Sequence, residues 1–167
     1  QQTQVGAVDH AVTIQVTEDP NRRGGDHTGE GRAVGGLEVS DGTGSGKVHV
    51  VKFVSAIDCG QPLNPKLVEG QIEGAVVNGI SFALTEELRF DKSGRALNST
   101  FWDYKIFTAA DIPEMQTIIV NSSDEDGPYG AKSVAEIGNN GPAPAIANAI
   151  YDAVNIRLFD LPFTPTK

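Results

Sequence analysis

Residues 47–85, which read KVHVVKFVSAIDCGQPLNPKLVEGQIEGAVVNGISFALT, decide the fold. β-Branched and aromatic side chains dominate residues 47–57, so this stretch predicts a strand. Residues 58–64 predict a loop. Asn64-Pro65 predicts the start of a helix, because Asn caps helix N-termini and Pro is favoured at the first helical position. Apolar residues recur at helical spacing from Leu67 to Leu84, which extends the helix to about residue 85.

The remaining elements predict an α+β fold. Alternating or β-branched residues predict strands at 11–17, 34–39 and 115–120. A hairpin is predicted across the turn 91–94, between 86–90 and 96–100. An Ala-rich run predicts a second main helix that begins at Pro142 or Pro144 and ends near Val154. Mixed strands with two main helices give an α+β class.

The distribution of glycine divides the chain into two parts. Nine of the nineteen glycines lie between Gly24 and Gly46, so residues 1–46 are predicted to combine a strand with a glycine-rich irregular segment. Residues 47–167 form the second part. Within the first main helix, Gly70, Gly74 and Gly79 predict the close approach of another helix or of a cofactor, because glycine is unfavourable inside helices.

Composition and charge exclude several classes of protein. The 167 residues carry a net charge of -9, which argues against nucleic-acid binding. The hydrophobic fraction of 39% argues against disorder. We expect no membrane span and no signal peptide. A chain that begins with Gln1 is expected to be a processed or truncated product. The single cysteine, Cys59, excludes an internal disulfide or a cysteine-built iron–sulfur site in this chain, and is expected to be a small buried hydrophobic residue.

Residues 127–136, GPYGAKSVAE, are the candidate functional loop. Glycines let a backbone approach a ligand closely. In apolar surroundings the carboxylate of Glu136 would be desolvated, which raises its pKa and suits it to accept a proton. The alternative is an ordinary helix-entry loop with a structural Glu136. No metal site is predicted; a site formed by His27 with its acidic neighbours is the weaker alternative.

Several motifs in one order resemble a known family. The run GAKSVAE at 130–136 resembles the active-site loop of the molybdenum hydroxylases, the xanthine dehydrogenase and aldehyde oxidase family. Residues 56–74, AIDCGQPLNPKLVEGQIEG, are similar to that family's D-x-G-x-x-x-N-P-x-x-V-x-G-Q-x-x-G signature. The helix 142–153 and the ending DLPFTP at 160–165 agree as well. The resemblance covers roughly residues 47–167.

The resemblance implies site residues and cofactors. It identifies the chain as the C-terminal part of a molybdopterin-binding subunit, so the α+β fold would be part of a larger molybdopterin-binding domain. Glu136 would be the catalytic general base. Gln71 would hydrogen-bond the pterin, and the backbone of Lys132, Ser133, Val134 and Ala135 would also contact it. The chain departs from the family at Ala135, where Gly is frequent, and at 137–138, where Pro-Pro is frequent.

The resemblance also implies a reaction and partners. The enzyme would hydroxylate an N-heterocycle, such as a purine or a nicotinate-like ring, or an aldehyde, with water as the oxygen source. Bacterial purine and nicotinate hydroxylases are the most similar members. The expected partners are a larger molybdopterin-binding chain, a [2Fe-2S] subunit and an FAD subunit, in the cytoplasm. The mononucleotide or dinucleotide form of the pterin stays open. The alternative is a non-catalytic structural or assembly subunit of such a complex.

Overall fold

A computed structural model of the chain describes residues 12–14, 37–39, 47–120 and 122–166. In chain order the elements are strands β1 (Val12–Ile14), β2 (Leu37–Val39), β3 (Val48–Val50) and β4 (Lys52–Ile57), helix α1 (Pro65–Leu84), strand β5 (Glu114–Ile119), two short 3₁₀ turns (Pro128–Gly130 and Ile137–Asn139) and helix α2 (Pro142–Val154). Mixed strands with two helices confirm the predicted α+β class.

The strands form two small sheets. The first has the order β1-β4-β5, in which β4 is antiparallel to β1 and parallel to β5. The second pairs β2 with β3 in antiparallel fashion. Helix α1 lies between β4 and β5 in the chain and provides the long crossover that a parallel pair requires. The carboxyl ends of β4 and β5 therefore lie side by side, with Ile57 opposite Ile119.

The prediction of one strand over 47–57 is wrong, because the chain changes sheets at Val51. In β3, Val48 and Val50 are half-buried, whereas β4 buries Phe53 and Ile57. The inward side thus shifts from even-numbered to odd-numbered residues. Since side chains alternate strictly along a strand, one straight strand could not turn both sets toward the core.

Helix α1 forms as predicted and supplies more of the described core than any other element. The Asn64 side chain accepts a hydrogen bond from the Leu67 N–H at 3.2 Å, and Pro65 occupies the first turn. The helix buries a stripe of side chains against the sheet and α2: Val68, Ile72, Val76, Ile80 and Ala83. Cys59 is buried in the same core, as expected.

Helix α2 and the C-terminal tail close the other side of the core. Ile146, Ala149 and Ile150 are buried on α2. Phe163 is buried as well, and its N–H donates to the Ala83 carbonyl oxygen at 2.7 Å. The tail is therefore packed on the end of α1.

The predicted hairpin between 86–90 and 96–100 forms only next to its turn, and neither segment is a continuous strand. The Asp91 N–H donates to the Arg95 carbonyl oxygen at 2.9 Å, and the Leu97 N–H donates to the Arg89 carbonyl oxygen at 2.8 Å. A single antiparallel bridge joins Phe90 to Ala96. Beyond it, the buried Asn98 side chain replaces the backbone ladder: its Oδ1 accepts from the Arg89 N–H at 2.8 Å, and its Nδ2 donates to the Glu87 carbonyl oxygen at 2.6 Å. Because the Asn98 amide occupies the Arg89 N–H and the Glu87 carbonyl oxygen, these backbone groups are not available to pair in a sheet.

The glycines of α1 divide into one tight position and two open ones. A Cβ atom at Gly79 would lie 2.6 Å from Pro142 Cγ and 2.7 Å from Asn139 Oδ1. At Gly70 and Gly74 a Cβ atom would meet no described atom within 4 Å. The close approach predicted from these glycines is thus made at Gly79, by the start of α2.

Replacing Gly79 with alanine is expected to lower the free energy of unfolding by about 1–3 kcal/mol, because the methyl group pushes Pro142 and Asn139 away from α1. Gly74→Ala is the matched control and is expected to raise it by about 0.5–1 kcal/mol, since alanine loses less entropy than glycine in a helix. Chemical denaturation measures both values. Equal effects of the two substitutions would contradict the packing at Gly79.

Candidate functional site

Two loops are joined by backbone hydrogen bonds at the carboxyl edge of the sheet. We call residues 58–61 and 130–132 the loop clasp. The Lys132 N–H donates to the Cys59 carbonyl oxygen at 2.8 Å, and the Gln61 N–H donates to the Gly130 carbonyl oxygen at 2.7 Å. Gly60 and Ala131 form an isolated antiparallel bridge. The clasp therefore holds the candidate functional loop against the loop that follows β4.

Glycine is required at two positions of the loop clasp. Gly60 has φ +66°, and a Cβ atom there would overlap the Gly130 carbonyl oxygen and lie 2.9 Å from the Lys132 nitrogen. Gly130 has φ +78°, and its Cβ would lie 2.5 Å from Ser123 Oγ. Positive φ is unfavourable for most residues that carry a Cβ, and at Gly60 the neighbouring backbone also leaves no room for one.

Asp58 connects three segments through one carboxylate. Its Oδ2 accepts from Lys132 Nζ at 2.7 Å, and its Oδ1 accepts from the Gly60 N–H at 2.9 Å and from the Ser122 hydroxyl. The Lys132 ammonium, followed by the Ser122 hydroxyl and the Gly60 N–H, holds the pKa of the Asp58 carboxyl well below its usual range. Each of these donors favours the charged form.

A cleft of about 410 Å³ lies beside the loop clasp. Its walls are the loop after β4, the first turns of α1 and the candidate functional loop. The cleft brings together Gln71 and the predicted cofactor-contacting residues of the loop. The lining residues are Cys59, Gln61, Pro62, Leu63, Asn64, Leu67, Val68, Gln71 and 131–135.

Three consecutive residues of the cleft lining have N–H groups with no hydrogen-bond partner in the part of the chain that the structure describes. The N–H groups of Ser133, Val134 and Ala135 form no hydrogen bond with any residue that the structure describes. The N–H of Lys132, by contrast, is used by Cys59. Backbone N–H groups in a loop are natural donors to anionic oxygens.

Glu136 follows the lining residues directly and is exposed. Its carbonyl oxygen accepts a hydrogen bond from the Asn139 N–H at 3.0 Å, and this bond begins the 3₁₀ turn at Ile137–Asn139. That turn packs on α1: Gly138 is buried, and a Cβ there would lie 3.1 Å from Ala75 Cβ. The expectation that the chain's own loop desolvates Glu136 is therefore wrong, because the turn directs Gly138 inward and leaves the carboxylate outside.

The sequence interpretation missed how the site is held. Asp58 lay in a recognised motif, but its pairing with Lys132 spans 74 positions and no local pattern predicts it. An acidic residue directly after a buried strand was the one available signal. The apolar wall formed by Leu63 and Leu67 was also missed; both are exposed residues that read as ordinary positions of the helix start.

Neither a resident metal cluster nor a membrane helix is found in the described part of the chain. Over these ranges no three His, Cys, Asp or Glu side chains lie close enough to hold a metal ion. No helix in them is long and apolar enough to cross a membrane. The weaker metal alternative at His27 lies outside the described residues.

Comparison with known proteins decides the family. A family model described as a molybdopterin cofactor-binding domain matches residues 10–113. The chain belongs to this molybdenum hydroxylase family. The predicted family is thereby confirmed; the model match includes the motif at 56–74 and ends before 130–136. The family match lies on both sides of the predicted boundary at residue 46, and that division of the chain stays a prediction.

Members of this family are similar to most of the chain, while the chain matches only a small share of each. It is 44% identical over 131 residues to the probable hypoxanthine oxidase XdhD of Escherichia coli, covering 78% of this chain and 14% of that protein. It is 37% identical over 133 residues to the aldehyde oxidoreductase molybdenum-binding subunit PaoC of Escherichia coli, covering 78% and 18%. The structure of quinoline 2-oxidoreductase from Pseudomonas putida 86 superposes with a TM-score of 0.70 at 29% identity, covering 74% and 16%.

Replacing Gly60 with alanine tests the loop clasp. We expect a loss of unfolding free energy well above 1 kcal/mol, because the Cβ adds a clash with the Gly130 carbonyl to the cost of positive φ. Gly94→Ala is the matched control, since Gly94 has φ +83° but no described atom within 4 Å of a Cβ. We expect that variant to lose only about 1 kcal/mol, the cost of φ alone. Similar losses measured by denaturation would contradict the clasp.

The lowered pKa of Asp58 makes its contribution to stability depend on pH. A carboxyl group with a lower pKa in the folded state stabilises the fold above its unfolded pKa, and this contribution is lost as the pH falls through the folded pKa. The ordinary value for Asp58 is 3.8, so the contribution is complete at neutral pH and declines below that value. Because the Asp58 and Lys132 side chains are each 37% exposed, the difference in Tm between wild type and Asp58→Asn is expected to be small at neutral pH and to shrink over this acid range. A difference that stays constant with pH would contradict the assignment.

Proposed function

We propose that these 167 residues form part of the molybdopterin-binding subunit of a molybdenum-dependent hydroxylase that uses water as its oxygen source. The observation that carries the proposal is the cleft in which Gln71 faces the same space as the three N–H groups of 133–135. Family membership names the cofactor class, and the cleft is where this chain offers donors to it.

The donor set of the cleft fits a molybdenum–pterin cofactor. Such a group presents anionic oxygens and a polar heterocycle. The N–H groups of Ser133, Val134 and Ala135 suit the oxygens. The Gln71 amide, which both donates and accepts, suits the edge of the heterocycle. When bound, the cofactor supplies the redox centre that takes two electrons from the substrate.

The walls of the cleft suit a bound heterocycle for a second reason. Leu67, Val68 and Val134 present apolar surface beside the polar donors. Cofactor sites are typically apolar with a few placed polar groups. Leu67 is 71% exposed, so a ligand here would cover apolar surface that now faces water and would exclude water from the donors.

Glu136 is the proposed general base. It directly follows Ala135, the last residue of the lining loop, so its carboxylate is one residue from the proposed donors. Its carboxylate would accept a proton from the water-derived oxygen that attacks the substrate. The described residues leave Glu136 exposed. In this proposal the cofactor and the remaining polypeptide cover its carboxylate.

An N-heterocycle is the proposed substrate class, with an aldehyde as the second choice. The relatives include a probable hypoxanthine oxidase at 44% identity and an aldehyde oxidoreductase subunit at 37% identity. A solved quinoline 2-oxidoreductase adds a second heterocycle enzyme with the same local fold. The higher identity lies on the heterocycle side.

The proposed partners follow from the size of the relatives. Since the chain matches 14% of the length of the probable hypoxanthine oxidase, a larger molybdopterin-binding polypeptide would complete the site. Relatives are described as a molybdenum-binding subunit and as a large chain, which agrees with a multi-subunit enzyme. We propose [2Fe-2S] and FAD partner subunits and a cytoplasmic location; purification of the native complex and cell fractionation test these points.

Two observations favour the alternative of a non-catalytic assembly subunit. Glu136 is exposed, and Ala135 stands where the family frequently has glycine. A chain that had lost activity could keep the cleft and the loop clasp for structural reasons. Turnover together with molybdenum content separates the two proposals.

Glu136→Gln in the intact complex is expected to lower kcat by at least about 100-fold while molybdenum content is retained, because the amide cannot accept the proton. Turnover on purines, other N-heterocycles and aldehydes, with metal measured by mass spectrometry, checks this. Glu125→Gln is the matched control: it makes the same change in an exposed turn outside the cleft and is expected to leave kcat unchanged.

Two results would contradict the catalytic proposal. Unchanged turnover in Glu136→Gln would remove Glu136 as the base. A wild-type complex that holds molybdenum but turns over no member of the substrate panel would favour the assembly subunit.

A further inference from the structure

The segment 133–136 is suspended between two anchors. At its start, Lys132 is held twice, by its N–H on the Cys59 carbonyl and by its ammonium on the Asp58 carboxylate. At its end, Gly138 is buried on α1, where an added Cβ would lie 3.2 Å from the Ile72 carbonyl oxygen. The residues between the anchors include the three N–H groups without a described partner. Their position is therefore set by the anchors.

We infer that Asp58 is a positioning residue that acts through Lys132 to place the cofactor-contacting segment 133–136 against Gln71. The statement that this segment contacts the cofactor rests on the proposed function. The role of Asp58 in positioning the segment rests on the geometry alone. Asp58 does not line the cleft. It acts from within the loop clasp, by joining the ends of β4 and β5 to the segment.

The carboxylate is suited to this role because its two oxygens act in different directions. Oδ1 binds the Gly60 N–H and the Ser122 hydroxyl, on the loops after β4 and β5. Oδ2 is left for Lys132 at 2.7 Å. One rigid group thus ties the sheet edge to the residue that immediately precedes Ser133.

The ion pair is too exposed to act mainly on global stability. The side chains of Lys132 and Asp58 are each 37% exposed, and pairs of this kind contribute little to unfolding free energy. Removing it is therefore expected to loosen the loop locally. A purely structural residue would instead change the stability of the whole fold.

Asp58→Asn removes the pair with minimal change. The amide oxygen can still accept from Gly60 and Ser122, whereas an NH₂ group placed toward Lys132 cannot accept from its ammonium. Lys132→Met removes the pair from the other side and leaves the Asp58 turn intact, so it serves if Asp58→Asn fails to fold. Lys132→Arg keeps the charge and the donors and is the conservative variant.

The matched control is a second ion pair in the same sheet. Lys52 Nζ contacts Glu114 Oε1 at 2.6 Å and joins β4 to β5 at the edge opposite the loop clasp. Lys52→Met removes a cross-strand pair of similar length without touching the cleft. We expect it to leave the local measurements below unchanged.

The test uses the intact complex and measures hydrogen exchange and retained molybdenum. In Asp58→Asn and Lys132→Met, exchange at the bonded amides of Gln61 and Lys132 is expected to rise by about tenfold or more, with no change in α2 and little change in Tm. Molybdenum retained per protein after dialysis is expected to fall severalfold. Lys132→Arg should restore both, and the double variant should be no worse than either single one.

Three results would overturn the inference. The first is unchanged exchange at Gln61 and Lys132 in both variants. The second is a rise in exchange that spreads equally over α1 and α2 with a lower Tm, which would make Asp58 a general structural residue. The third is additive effects in the double variant. If the wild-type complex holds no molybdenum, the proposed function fails, yet the exchange measurements still decide the role of Asp58.

Discussion

The parallel pairing of β4 with β5 is the constraint on which the site depends. It places Ile57 opposite Ile119, so that the chain leaves both strands at the same edge. The Val120 N–H then donates to the Ile57 carbonyl oxygen at 2.9 Å. One residue beyond Ile57 stands Asp58, within reach of Ser122 on the neighbouring loop. Without the parallel register these two loops would not share an edge, and the loop clasp could not form.

The loop clasp depends next on glycine, because it brings backbone against backbone. Gly60 and Gly130 adopt positive φ and leave no room for a Cβ atom. This closeness allows Lys132 to be fixed by its N–H and its side chain together. The loop clasp on one side and helix α1 on the other define the cleft. The polar donors of the cleft are therefore held in place by these two parts of the fold.

Within the described ranges, the cleft combines N–H donors that have no hydrogen-bond partner with exposed apolar surface. The apolar surface is costly to expose in an isolated chain, and the residues that carry the donors are exposed or half-buried. Both are accounted for if a cofactor and further polypeptide complete the site. Family membership and the 14% share of a relative's length point in the same direction.

The sequence by itself determined the local elements and the family. The Asn64 cap, the apolar stripe of α1 and the Ala-rich α2 were predictable because helices arise from neighbours three and four positions apart. The motif residues Gln71 and 130–136 were also named from sequence. The tertiary structure was needed to find the change of sheets at Val51, the Asn98 contacts that end the hairpin ladder, the exposure of Glu136 and the Asp58–Lys132 pair. These depend on contacts between residues far apart in the chain, and no local pattern encodes the register that brings such residues together.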